Sequence, residues 1–381
     1  MNTTLFLQSN VPDPYTIYKS MLEKNPVFWD ENSKTWAVYS YEYCVEILKN
    51  PHALIPAINL NNKQKLNTYA VTILNNLVRL SNGISHEINR EIACFLFSNM
   101  TSVNIDSIIS ELIEYDVIEN KIDWVDSVCK KLPVLVVLKS FGFKETDCNF
   151  ILEKMESLIK IMLPNKTQEQ VNTINKISED LFSIVEKQLL PLKFYHDLLQ
   201  IKSAVLSANE IKTTSISNVI GLLIQSYDAG RGILSTSLLQ ILNNKSFSDK
   251  AEIQKSVIET LRFDPPIHNT RRIAEEDIYM GESLIRRNDP ILIVLASANR
   301  DPQKFENALV FDIERRNNTE NLTLGTGGHA CLAKHFSISL TTEAIWFLLN
   351  AYKTVVLLEN NIEYEPMINA RLPKRIPISL K

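Results

Sequence analysis

Near the C-terminus, the stretch Leu324-Gly325-Thr326-Gly327-Gly328-His329-Ala330-Cys331-Leu332-Ala333 offers the chain's clearest chemistry, a thiolate able to ligate a metal. Three of the nine glycines fall between positions 325 and 328, an isolated concentration of backbone freedom that lets a loop lie flat against something bulky. From Leu332 onward Phe336, Leu340, Ala344 and Leu348 recur at every fourth position, which predicts a helix of about five turns with one apolar face. At the N-terminal end of that helix, Cys331 meets unpaired amide N–H groups and the positive end of the helix dipole, both of which favour thiolate over thiol. Two other readings stand beside this one: Cys331 as a small buried hydrophobe, and His329, Cys331 and His335 as part of a zinc site. No second Cys or His pair at zinc spacing accompanies them, and the Cys-x-x-Cys-His of c-type haem attachment is absent.

Charged residues recur at helical spacing elsewhere. His86 and Arg90 are four apart and Glu259 and Arg262 three apart, so each pair shares a helix face. Taken alone, such pairs describe solvated surfaces of small energetic value. In Thr270-Arg271-Arg272-Ile273-Ala274 an alternating strand sends Arg271 and Arg272 to opposite sides. Ser215 to Leu242 reads as a long helix, apolar on several sides as a buried helix is. Its middle, Gln225-Ser226-Tyr227-Asp228-Ala229-Gly230-Arg231-Gly232, is out of character. Each glycine there costs about 1 kcal/mol in a helix interior, which predicts a local distortion.

The elements around these residues are mainly helical. Asp13-Pro14-Tyr15 opens an amphipathic helix running to Lys24. Asn25-Pro26-Val27-Phe28-Trp29 and Trp36-Ala37-Val38-Tyr39 flank a turn rich in Asp, Asn and Ser, the pattern of a hairpin. Between Asn104 and Gln200 successive amphipathic helices follow, with Trp124, Phe141 and Phe150 expected in the core. At 381 residues and 45% hydrophobic content the chain can bury a large core, and no Pro/Ser/Gly-rich linker, charge block or repeat divides it, so residues 1–381 are expected to form one domain. A net charge of −4 argues against nucleic acid as a partner. Five scattered cysteines, an odd number, suit a reducing compartment better than a disulfide framework. The opening Met1-Asn2-Thr3-Thr4-Leu5-Phe6-Leu7-Gln8 is too short and polar for a signal peptide or membrane anchor. The expectation is a cytoplasmic protein with no membrane association.

The cysteine loop resembles Phe-Gly-x-Gly-x-His-x-Cys-x-Gly, the ligand loop of the cytochrome P450 family. Gly325, Gly327, His329 and Cys331 stand in register, while Leu324 replaces the Phe and Ala333 the final Gly. Glu259-Thr260-Leu261-Arg262, followed by Phe263-Asp264-Pro265-Pro266, matches the family's Glu-x-x-Arg signature in the right order upstream of the cysteine. The resemblance runs from Asp13-Pro14 to Leu372-Pro373-Lys374-Arg375-Ile376-Pro377, nearly the whole chain, and several motifs in order are more specific than any one. It implies a mostly α fold with small β-sheets, binding haem b (iron protoporphyrin IX) between the distal helix and the Cys331 loop. Cys331 is then the iron ligand. His86, Arg90 and Arg272 become the cationic partners of the haem propionates, Leu324, Gly325, His329 and Ala333 line the cofactor, and Glu259, Arg262 and Arg315 form one charge network.

The family's distal helix carries Ala-Gly-x-Asp/Glu-Thr, and two registers compete. Setting Ala229-Gly230 on the family's Ala-Gly leaves Gly232 for the acid and Ile233 for the alcohol. Setting Gln225 to Ala229 on it keeps Asp228 as the acid and aligns the downstream apolar residues, and is preferred. Ala229 then stands where the family has the threonine whose hydroxyl guides protons during oxygen activation, and alanine cannot donate a hydrogen bond. A substrate hydroxyl, a water, Ser226 or Tyr227 substitutes, or position 229 is simply tolerant. The implied activity is monooxygenase-type oxidation of a small organic molecule of specialised metabolism, with electrons from a ferredoxin-type donor and a substrate that is free or tethered to a carrier protein. Peroxide-using, coupling or rearrangement chemistry is the alternative, and a non-catalytic haem-binding protein a third. In the family, the region from Leu60 to Leu77 covers the substrate.

Overall fold

The computed structural model describes residues 4–57, 65–244 and 247–381. Leu60, at the start of the stretch expected to meet substrate, lies outside them, as do Met1, Asn2 and Thr3. The chain forms two compact units, Met1–Leu54 with Ile105–Lys130 and Asp228–Lys381, and Ile55–Asn104 with Lys131–Tyr227. No described helix is long and apolar enough to cross a membrane.

The first unit holds all the described strands. They are β1 Val27–Asp30, β2 Thr35–Val38, β3 Ala53–Leu54, β4 Lys121–Asp123, β5 Thr270–Ala274, β6 Ile278–Met280, β7 Ser283–Ile285, β8 Pro290–Ile293, β9 Val355–Leu357 and β10 Pro377–Leu380. One sheet runs β1-β2-β8-β5-β3, a second β4-β10-β9, and β6 pairs with β7. The expected N-terminal hairpin is β1–β2, antiparallel with Trp29 opposite Trp36, and β2 then pairs in parallel with β8. The large sheet is buried on both faces because its side chains alternate. Val38, Ile291 and Ile293 enter one apolar cluster, while Ala37 and Leu292 enter another with Tyr18 and Tyr39. Each fully buried Ile or Leu of this kind contributes about 1.5–3 kcal/mol.

Helices Pro14–Lys24, Tyr41–Lys49, Ile105–Asp116, Arg231–Asn243, Lys250–Phe263 and Lys334–Ala351 belong to the same unit. The first begins where the sequence predicts, with Pro14 at its first position and the Asp13 carboxylate accepting from the Tyr15 N–H at 3.0 Å.

The second unit is built from helices. Leu132–Ser140 is apolar all round and almost wholly buried. Gln168–Leu189 is amphipathic and is opened by a capping box between Thr167 and Gln170. Ala208–Gln225 starts with the same device, between Ser207 and Glu210. Within Thr68–Asn76, Ile73 and Leu74 are buried, as is Leu77 just beyond it. Trp124 and Phe141 are buried as expected, whereas Phe150 is only half-buried, its ring lying 5.6 Å from the Lys154 ammonium. On the amphipathic Glu145–Leu158 helix the core face is taken instead by Cys148, Ile151, Met155 and Leu158.

Candidate functional site

Glu259 and Arg262 lie on the Lys250–Phe263 helix, and both are 0% exposed. A buried guanidinium is tolerable only if its five N–H donors are satisfied, and here all five are. Nε and Nη2 donate to Glu259, the latter at 2.6 Å. The remaining N–H groups reach Asn299 O at 3.0 Å, Ala308 O at 2.9 Å and Val310 O at 3.0 Å. Burial lowers the Arg262 pKa from its ordinary value, and the Glu259 hydrogen bonds oppose the shift. Glu259 also accepts from the Asp312 N–H at 3.0 Å and from Arg315 Nε at 3.4 Å.

This network reaches the cysteine loop through Asn299. Its Nδ2 donates to Leu261 O and to Thr323 Oγ1, and its Oδ1 accepts the Leu322 N–H at 2.7 Å. Thr323 Oγ1 in turn donates to Leu261 O. From Leu322 the loop closes on itself, with Gly325 N donating to Leu322 O and Cys331 N to Leu324 O, both at 2.8 Å. Gly325 and Gly327 have φ of +72° and +73°, the left-handed region. At Gly327 a Cβ would meet Leu48 O at 2.6 Å and Lys49 Cα at 3.2 Å, backbone atoms that cannot give way.

The following helix begins at Lys334, three residues after Cys331, with Ala333 as its N-cap residue. The expectation that Cys331 itself opens the helix is therefore corrected. Its N–H closes the loop onto Leu324, and the helix starts only once that turn is complete. Leu324, Gly325, His329, Cys331 and Ala333 are all half-buried. Among the described residues no group of three His, Cys, Asp or Glu side chains converges on a common point.

Arg272 lies on β5 with its side chain buried, at 3% exposure, while its neighbour Arg271 is exposed. Arg272 Nη1 donates to Thr270 Oγ1 at 3.3 Å and to Arg271 O at 2.8 Å, and no carboxylate among the described residues lies within ion-pair reach. Burial brings its pKa down to about 10. A buried cation without a counter-ion is an incomplete arrangement, and the acidic edge of a haem would complete it. In the other unit, His86 and Arg90 sit on the Gly83–Ser98 helix, with His86 buried and its Nδ1 3.0 Å from Val78 O, and Arg90 half-buried.

The distortion expected near residue 230 is a π-helical turn, Ser226–Gly230, after the Ala208–Gln225 helix and before Arg231–Asn243. Gly232 follows because a Cβ there would meet Pro266 Cβ at 2.6 Å and Leu372 Cδ2 at 2.7 Å. Ser226 Oγ donates to Leu223 O at 3.0 Å, and the Tyr227 hydroxyl to Glu156 at 3.2 Å. Asp228 is paired with Arg231 at 3.2 Å, and Arg231 with Glu365 at the same distance. Ala229 is half-buried. Sequence reasoning missed Glu365, and its position among exposed acidic residues of the C-terminal segment gave no signal.

The family model described as Cytochrome P450 matches residues 252–366, which include Glu259, Arg262 and Cys331. A biotin biosynthesis cytochrome P450 of Bacillus subtilis is 24% identical over 384 residues, covering 97% of this chain and 96% of that protein. Cytochrome P450 119 of Sulfolobus acidocaldarius is 23% identical over 96% of this chain and 99% of its own length. Among solved structures, P450BioI in complex with an acyl carrier protein ligated to hexadec-9Z-enoic acid superposes with a TM-score of 0.81 at 22% identity, covering 97% of this chain and 99% of that one. CalO2 superposes with a TM-score of 0.84 at 17% identity, over 100% and 99% of the two chains. The stretch that holds Glu259, Arg262 and Cys331 thus matches the cytochrome P450 family, and the chain as a whole is similar in sequence and in its mainly helical fold to cytochromes P450 along nearly their whole length.

Proposed function

We propose that Cys331 would supply the thiolate that holds haem b and that residues 1–381 act as one catalytic domain, oxidising a small, largely apolar molecule of specialised metabolism. The observation that carries this reading is the hydrogen-bonded path from the buried Glu259–Arg262 pair through Asn299 to Leu322, which fixes the loop bearing Cys331. When bound, thiolate-ligated haem supplies oxygen activation, the thiolate pushing electron density towards the iron to favour O–O cleavage. Arg272 would hold a propionate, and Leu324, Gly325, His329 and Ala333 would line the cofactor. A ferredoxin-type protein would deliver electrons.

Arg272 gives a test that does not depend on turnover. In the apoprotein its charge is buried without a counter-ion, so Arg272→Leu should leave the fold intact and apoprotein stability undiminished. Haem retention should nevertheless weaken by about tenfold, the equivalent of one charge-assisted hydrogen-bonded contact. Titration of apoprotein with haem, alongside thermal melts, measures both. Unchanged haem affinity would remove Arg272 from the cradle.

Ala229 marks the departure from standard proton delivery. Ser226 and Tyr227 each donate to a protein acceptor, and Asp228 is paired with Arg231, which supports a water or the substrate itself as the proton donor. Generic substrates should therefore couple electrons to product poorly, most being lost as hydrogen peroxide or water, and Ala229→Thr should improve that ratio. Product formed per NAD(P)H consumed, in a reconstituted electron-transfer system, is the measurement. Tight coupling of the wild type with unfunctionalised hydrocarbons, unchanged in Ala229→Thr, would make position 229 merely tolerant. Efficient turnover driven by added hydrogen peroxide without any reductase would favour the peroxide-using alternative. A carrier-tethered substrate is a second reading, supported by the acyl carrier protein bound to P450BioI in its solved complex.

A further inference from the structure

A cavity of about 760 Å³ lies within the unit containing the strands, between the Pro14–Lys24 helix, the start of the Tyr41–Lys49 helix and residues 296–310. None of Cys331, Asp228, Ala229 and Arg272 lines it. Its volume falls in the range of small-molecule sites, roughly 300–1,000 Å³. Leu22 and Pro26 form part of the wall, and Leu309 and Val310, 54% and 55% exposed, add large apolar surface to it.

The polar groups of the wall are unevenly satisfied. Arg300 is sandwiched between Tyr15 and Phe263, its guanidinium carbon 3.5 Å and 3.9 Å from the two ring centres, and its Nε donates to Phe263 O at 2.7 Å. Its two terminal nitrogens have no acceptor among the described residues. Ser40 and Ser297 also line the cavity, and their buried hydroxyls have no hydrogen-bond partner among the described residues; Ser297 is 2% exposed. The acceptors are better occupied. Asp301 takes the N–H groups of Tyr41 and Gln303, both at 2.9 Å, and Glu23 lies 3.9 Å from Lys19. Glu42, exposed in the first turn of its helix, is stabilised there by the helix dipole. The unmet capacity of the wall is thus largely donor capacity, and a planar guanidinium held between two rings is preorganised for a carboxylate.

We infer that this cavity is a second small-molecule site, taking an apolar molecule that ends in a carboxylate, with the carboxylate on Arg300 and the apolar body against Leu22, Leu309 and Val310. The inference stands independently of which residues hold the haem.

Haem-loaded protein titrated with dansyl-labelled undecanoic acid should bind the acid at least about tenfold more tightly than its methyl ester, the contribution of one charge-assisted pair. A long-chain acid bearing a diazirine should cross-link to segments 15–26, 40–43 or 296–310. Arg300→Gln should abolish the preference for acid over ester. Leu309→Trp, at an exposed position of the wall, should weaken binding of the acid by about tenfold while leaving haem content and melting temperature unchanged. Absence of binding, equal affinity for acid and ester in the wild type, cross-links mapping elsewhere, or full affinity in Leu309→Trp would each overturn the inference.

Discussion

Glu259→Ala and Arg262→Ala should each yield little or no folded, haem-loaded protein. Removing one partner of a buried, hydrogen-bonded ion pair costs about 3–5 kcal/mol, against a total stability of roughly 5–15 kcal/mol. Both side chains are fully buried, so water cannot replace the missing partner. In Arg262→Ala the Glu259 carboxylate keeps only the Asp312 N–H and the more distant Arg315, and three backbone carbonyls, of Asn299, Ala308 and Val310, lose their donor. In Glu259→Ala the guanidinium retains those carbonyls but has no counter-ion. The double variant Glu259→Met with Arg262→Met should therefore recover part of the loss, since it leaves no unpaired charge. Recovery should be incomplete because the three carbonyls remain unpaired. Soluble yield, far-UV circular dichroism and thermal melts of the three variants give the answer. A single variant melting within a few degrees of wild type would mean that the network does not anchor residues 299–312.

What the sequence reveals depends on whether a signal is local. The Pro14–Lys24 helix and the β1–β2 hairpin follow from caps, turns and alternation within a few residues, and they form where those signals lie. The π-helical turn at Ser226–Gly230 was legible as a distortion because glycines and charges interrupt an apolar run, though its type was not. Glu259 and Arg262 are three apart and visible as a pair. Their burial is not, because it is produced by residues 299–312 folding over them. Asn299 links that pair to the cysteine loop, yet its Asn-Arg-Asp-Pro setting reads locally as a turn. The pairing of Arg231 with Glu365 spans 134 positions and has no periodicity to reveal it. The delayed start of the Lys334–Ala351 helix was hidden for a related reason, since the apolar spacing continues back to Leu332 while the backbone at Cys331 is committed to Leu324.

The five cysteines allow the central assignment to be tested within one protein. Cys44, Cys129 and Cys148 are buried, and burial raises the pKa of each thiol, that of Cys148 to about 11, so they stay protonated at neutral pH. Cys331, by contrast, is half-buried in the glycine loop, with its N–H committed to Leu324 O. The most direct measurement is the difference spectrum of the dithionite-reduced protein with carbon monoxide, for wild type, Cys331→Ser and the single serine variants of the other four cysteines. Wild type and those four should show the thiolate-ligated band that gives the family its name, and Cys331→Ser should lose it entirely while still binding haem. Persistence of the band in Cys331→Ser, or its loss on replacing Cys44, Cys94, Cys129 or Cys148, would contradict the assignment of Cys331 as the iron ligand.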